Sequence, residues 1–227
     1  MAHPAYTFPT VARRADSKRK PNRPRRSPRS RRRGRPVASF SARSEILLGA
    51  AKAFGDHGYG NTTVQHVLKA AGVSRRTFYR FFKNKDDVFQ QLADAASMLF
   101  LENIRTASNL GKTPEEKLAN CVEVYLRAPQ TAGPIFHVLL AESSRPGSVI
   151  GDHRRVIIEA LVDMLSEGVR EHQQRDVDPL MVRGLIAALE SISQHVFMQT
   201  DAGEKEIQRA KAAMMHLVVS ALDMPAA

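Results

Sequence analysis

Apolar side chains return along this chain at steps of three and four, the interval that lays them along one face of an α-helix. The stretch SARSEILLGAAKAFGDHG carries Ile46, Leu47, Ala50, Ala51 and Phe54 on such a stripe and stops at Gly58, a residue suited to end a helix. NTTVQHVLKAAG repeats the pattern with Val64, Val67, Leu68 and Ala71, and spaces Thr62 and Gln65 as a capping box. In GVSRRTFYRFFKNK, Phe78, Phe81 and Phe82 again share a face, and Ser74 is placed to cap the helix after the turn at Gly72. Three short amphipathic helices therefore share one core. Only the turn from Gly72 to Ser74 separates the last two, the arrangement of a helix-turn-helix whose second member enters the major groove of DNA.

With the phenylalanines inward, Arg75, Arg76, Tyr79, Arg80 and Lys83 form a second stripe turned outward. A cationic helix start with free amides suits phosphate, so Ser74 belongs to this surface. Arg75 and Arg76 are the expected base readers, because a guanidinium takes guanine O6 and N7 together. Lys83 and Lys85 near the helix end, and Thr62 and Thr63 opening the preceding helix, are expected on phosphates, fixing register without reading sequence. The competing reading of such a stripe is a charged face that meets only water.

The ordered string NTTVQHVLKAAGVSRRTFYRFFKNKDDVF, within residues 43–92, resembles the DNA-binding signature of TetR-family transcriptional regulators. The resemblance implies a homodimer reading the two half-sites of a palindromic operator on double-stranded DNA, with a helical effector domain following. It also implies that Thr77 and Tyr79 contact a phosphate or a thymine methyl, and that Arg80 does either.

Downstream, a long helix from about Asp86 to Arg105, capped by Asn84, links this head to the rest. Thr113, Pro114 and Glu116 stand as cap, first and third positions of the next helix. GPIFHVLLAESS follows, broken at Arg145-Pro146-Gly147, then helices from about Ser148 to Gln173, from Asp178-Pro179 to about Thr200, and from about Gly203 to Leu222. No strand pattern or internal repeat interrupts them. The expected fold is all-α: a disordered basic tail over 1–40, a DNA-binding head over 41–90, and a helical ligand-binding and dimerisation domain over 91–227.

Charge changes the picture at one end. The 227 residues carry a formal net charge of +11, yet residues 1–36 hold thirteen Lys or Arg against Asp16 alone, which leaves −1 for residues 37–227. The tail has almost nothing to bury and is expected to stay disordered until it meets a polyanion. Arg33-Gly34-Arg35-Pro36 resembles an AT-hook core, in which Arg33 and Arg35 would lie along a narrow, electronegative minor groove. Two other readings stay open: a tether that gains affinity through counterion release, and a transit peptide, against which stand the many prolines and the missing apolar stripe.

The last two helices carry 3-4 stripes, Val182, Leu185, Leu189, Ile192 and Val196, then Ile207, Ala210, Met214, Leu217 and Ala221. Two such helices from each chain would build an intersubunit four-helix bundle, with Leu185, Leu189, Ile192, Val196, Ile207, Met214, Leu217 and Ala221 at the dimer interface. The alternative is that both pack within one subunit. An effector site is expected among Cys121, Tyr125, Phe136, His137, Met164, His195 and Phe197, apolar side chains with a few polar ones inside the body. Cys121 shares a stripe with Leu118, Val122 and Tyr125, so a buried structural thiol is expected over a redox sensor.

The composition is 43% hydrophobic, and there is no apolar run of about 18 residues, which points to a soluble protein of one or two domains; the single cysteine fits a reducing cytosol, and the expected location is the cytoplasm, on the nucleoid. There is no Gly-rich phosphate loop, CxxC or HExxH, so no enzyme, cofactor or metal site is expected. The function expected is a ligand-responsive repressor released by a small apolar or amphipathic molecule. A nucleoid-type architectural protein driven by the tail is the alternative, and would bind with little regard to sequence.

Overall fold

A computed structural model of the protein describes residues 37–197 and 203–223, and within them all regular structure is helical. The head comprises α1 (Val37–Asn61), α2 (Val64–Ala71) and α3 (Arg75–Phe81), with α4 (Lys85–Leu110) leading out of it. The body adds α5 (Pro114–Leu126), α6 (Ala128–Ala132), α7 (Ile135–Ser143), α8 (Gly151–Gln173), α9 (Pro179–Phe197) and α10 (Glu204–Ala221).

Local chemistry sets most boundaries. Gly58 leaves the helical region of α1 at φ 72°, ψ 167°, and the chain makes one further turn to Asn61. Gly72 closes α2 in the left-handed region, φ 66°, ψ 24°, with its N–H donating to the Leu68 carbonyl, a conformation that a Cβ strains. Asn84 caps α4 by accepting from the Asp87 N–H at 2.8 Å, and Thr113 caps α5 by accepting from the Glu116 N–H at 3.2 Å. Three details differ from the sequence reading. The capping box of α2 sits one residue later, on Thr63 and His66 instead of Thr62 and Gln65. α4 runs one turn past Arg105, to Leu110, and the five-residue α6 has no counterpart in the periodicity.

The head's core holds Phe54, Phe78, Phe82 and Phe89, all essentially without solvent contact. Burying an aromatic of this size contributes about 1.5–3 kcal/mol. The same cluster takes in Ile135 and Ile150 from the body, so head and body meet across apolar contact as well as through α4. α1 approaches the start of α7 closely: a Cβ on Gly55 would stand 3.1 Å from the Pro134 Cβ. Two further clusters fill the body. Val162, Val169, Val182, Leu185, Ile186 and Val218 pack α8, α9 and α10, while Val122, Leu126, Val196, Ile207 and Met214 pack α5, α9 and α10. α4 also touches α8 by polar contacts, Asp94 Oδ1 lying 2.8 Å from His153 Nε2.

Candidate nucleic-acid interface and effector site

α3 is a short helix held from behind. Ser74 Oγ accepts from the Thr77 N–H at 3.1 Å and lies 2.9 Å from the Thr77 hydroxyl, fixing the first turn. Phe78 is fully buried, Phe82 just after the helix is 1% exposed, and Phe81 is half-buried beneath the Arg80 guanidinium, 4.6 Å from its ring centroid. This anchorage leaves Arg75, Arg76, Tyr79, Arg80 and Lys83 exposed on one side, as the spacing predicts. Arg75 Nη2 reaches Gln65 Oε1 of α2 at 3.5 Å, so Gln65 adjoins this face as well. Gln65 was absent from the expected contacts, and its exposed position beside Arg75 becomes visible only once α2 and α3 are packed.

Thr62 departs from expectation. It is 1% exposed, and its hydroxyl faces the Gly58 carbonyl at 2.6 Å and the Ala53 carbonyl at 3.1 Å. The break at Gly58 lets the chain fold back, so that the Thr62 hydroxyl reaches both of these carbonyls of α1. It therefore cannot meet a phosphate, whereas Thr63, the true cap of α2, is exposed.

Lys85 departs too: its amine donates to the Tyr59 carbonyl at 2.9 Å and the Gly60 carbonyl at 3.3 Å, over the Tyr59 ring. Tyr59 in turn donates to Asp86 Oδ1 at 2.7 Å, and burial with this carboxylate pushes the phenol up to about 12. The Lys85 ammonium thus fastens α4 to the end of α1. Arg33 and Arg35 lie outside the described residues.

In the body, three of the expected effector residues converge. Tyr125 and Phe197 pack edge to face with ring centroids 6.0 Å apart, Phe136 meets Phe197 at 5.1 Å, and Phe100 of α4 completes the group at 6.0 Å from Tyr125. Such edge-on pairs are favoured by the ring quadrupoles. Phe100 escaped the sequence reading because it sits on the connecting helix. Tyr125 Oη lies 3.0 Å from the Oγ of fully buried Ser193, and burial raises the phenol to about 12.

Of the other candidates, His137 adjoins the group, its ring edge to face with Phe136 at 5.6 Å. Cys121 is half-buried, donates to the Ile104 carbonyl at 3.5 Å, and burial pushes its thiol up. His137 and His195 are exposed, and Met164 is half-buried on α8, while the rings of the cluster come from α4, α5, α7 and α9.

The stripes assigned to a dimer interface are, for the most part, the subunit's own core. Leu185, Val196, Ile207 and Met214 are all at most 7% exposed, and Leu189 and Ile192 pack partly buried against them. α9 and α10 turn their strongest apolar faces toward each other and toward α5 and α8, which already surround them. Of the named residues only Leu217 and Ala221 are exposed; Leu180 and Met181 are large apolar residues at the surface of α9.

Comparison with known proteins agrees with this architecture. The model of the bacterial regulatory proteins, tetR family, matches residues 46–92, and that of a tetracyclin repressor-like C-terminal domain matches residues 114–221. The HTH-type transcriptional repressor AcnR of Corynebacterium glutamicum is 30% identical over 148 residues, covering 63% of this chain and 73% of that one. The fatty acid degradation regulator FadR of Bacillus halodurans superposes with a TM-score of 0.63 at 21% identity, over 77% of this chain and 94% of its own. FadR of Bacillus subtilis, solved in complex with stearoyl-CoA, superposes with a TM-score of 0.64 at 20% identity, over 78% and 98%. An anchored helix-turn-helix, a helical body behind it and these matches in both parts of the sequence lead to one assignment: the chain belongs to the TetR family of DNA-binding transcriptional regulators.

Proposed function

We propose that the protein is a homodimeric, ligand-responsive repressor whose two α3 helices read the half-sites of a palindromic operator. The observation that carries this reading is the outward face of α3, where Arg75, Arg76, Tyr79 and Arg80 are exposed on a helix whose back is locked by Phe78. Arg75 and Arg76 take base edges, Tyr79, Thr77 and Arg80 take a phosphate or a thymine methyl, and Thr63, Ser74 and Lys83 hold phosphates. Arg33 and Arg35 extend this surface into the neighbouring minor groove. The dimer forms through the surface of α9 and α10, where Leu180, Met181 and Leu217 are exposed.

Release follows from linkage. A small apolar or amphipathic molecule enters at Phe100, Tyr125, Phe136 and Phe197, displaces α4 and changes the separation of the two α3 helices. Such coupling amounts to about 1–3 kcal/mol.

The test is genome-wide selection of bound DNA at about 150 mM salt, where long-range charge effects are screened. It compares the full chain, a form lacking residues 1–36, and Arg75→Ala/Arg76→Ala. The proposal expects a palindrome that survives removal of the tail and disappears in the double substitution. Diffuse, A·T-biased enrichment that vanishes with the tail would instead make this a sequence-tolerant architectural protein.

A further inference from the structure

Between the end of α7, the start of α8 and α9 lies a groove of about 540 Å³, within the range of small-molecule sites. Arg154, Arg155 and Arg183 line it with Ser143, Ser144 and Gln194, and no lining residue is acidic. The carboxylates that accompany these arginines stand outside that lining. Glu190 accepts from Arg154 Nη2 at 2.6 Å, Glu159 pairs with Arg183, and Asp152 lies 3.5 Å from Arg155 Nη2.

A guanidinium carries five N–H donors in a rigid fork, so one carboxylate contact leaves most of them unused. A carboxylate behind such a fork also restricts its orientation, as supporting residues do in built sites. Three guanidinium forks, two of them held by hydrogen-bonded carboxylates, beside serine hydroxyls and a carboxamide around one concavity without an acid in its wall, match the chemistry of a carboxylate or phosphate.

The groove is also wired to the aromatic cluster. Glu190, which accepts from Arg154 through its side chain, accepts from Ser193 Oγ at 2.8 Å through its backbone carbonyl. Ser193 Oγ then meets Tyr125 Oη at 3.0 Å. Arg154 follows His153, the residue of α8 that contacts Asp94 on α4.

We infer that this groove binds the anionic end of the effector, a small molecule bearing carboxylate or phosphate groups. The consequence for DNA release rests on the function proposed above, while binding in the groove stands independently of it. Occupation draws Arg154 toward the ligand, and Glu190, Ser193 and Tyr125 pass the change to the cluster that α4 adjoins.

The experiment is calorimetric titration of the full chain, at about 150 mM salt, with inorganic pyrophosphate and separately with glutarate, which distinguish a phosphate from a carboxylate preference. Saturable binding of at least one probe is expected, with Kd below about 1 mM. Arg155→Gln and Arg183→Gln should weaken it at least about tenfold, with circular dichroism confirming that both variants fold. Arg209→Gln, the same charge change on α10, should leave it unaltered. Absence of saturation by either probe up to about 10 mM, or equal weakening by Arg209→Gln, overturns the inference. Adding the bound probe to the complex with the selected palindrome separates the two ideas. Undiminished DNA affinity would count against ligand release by this probe and leave the groove standing as a binding site.

Discussion

Ile135 and Phe136 are consecutive residues of α7 that belong to different clusters: Ile135 is packed in the core of the head, and Phe136 meets Phe197 edge to face in the body. A single peptide unit therefore joins the core of the head to the aromatic cluster of the body. This gives the body a second connection to the DNA-binding head, beside α4.

Ile135→Ala should therefore destabilise the head although the residue lies in the body. Removing a buried isoleucine costs about 2–5 kcal/mol, and the 9% residual exposure of Ile135 places it toward the lower end. Urea denaturation followed by circular dichroism measures it. A loss below about 0.5 kcal/mol, the usual size of a surface substitution, would mean that the body's insertion into the head adds little.

Thr62 and Thr63 should separate stability from DNA binding. Thr62→Val keeps the shape and removes the one hydroxyl proton that the Gly58 and Ala53 carbonyls share, costing about 1–3 kcal/mol. Operator affinity, corrected for folded protein, should not change. Thr63→Ala removes the α2 cap, costs about 1 kcal/mol, and should in addition weaken DNA binding. Denaturation and fluorescence anisotropy on the same samples decide; equal loss of operator affinity in both would return Thr62 to the interface.

Arg75 and Lys83 should differ in kind. Arg75→Ala should cost about 1–3 kcal/mol and relax sequence preference at one position of each half-site, as loss of a bidentate base contact does. Lys83→Ala should weaken all sequences alike and reduce the salt slope by about one per subunit, about two for the dimer. Titrations at several salt concentrations against the operator and a scrambled duplex read both quantities. The assignment fails if Arg75→Ala lowers both duplexes equally.

The contrast between Thr62 and Ser74 shows what a sequence pattern carries. Ser74, Asn84 and Thr113 act on amides three residues ahead, a local geometry that spacing alone specifies, and all three cap as expected. Thr62 acts backward on two carbonyls of α1, which it reaches because the chain folds back at Gly58, and its exposure depends on where α1 ends. The stripes of α9 and α10 were legible as apolar, but periodicity does not say which neighbour covers them; here α5 and α8 of the same subunit help to do so. Phe100 was missed for a related reason. Its role comes from meeting Tyr125 across 25 positions of sequence, which no local pattern records.

Stability at high pH should report on Tyr125. The buried hydroxyl ionises near 12 in the folded protein, against about 10 in an unfolded chain. The folded state thus favours the neutral phenol. Its contribution is complete below about pH 10 and is lost as pH rises toward 12, where the unfolded chain gives up its proton first. Lysines titrate over the same range, so the informative quantity is the difference between parent and Tyr125→Phe in urea midpoint. That difference should narrow between pH 10 and 12, and parallel curves would show that this hydroxyl is not held neutral by the fold.

The seating of Ile135 and Ile150 among Phe54, Phe78 and Phe89 also bears on modularity. A fragment ending near residue 92 would contain the complete helix-turn-helix and still lack part of its own interior, exposing an apolar patch where α7 had lain. Transplanting this head onto another body thus requires a replacement for α7, and chimeras joined within α4 alone would be prone to self-association through that patch.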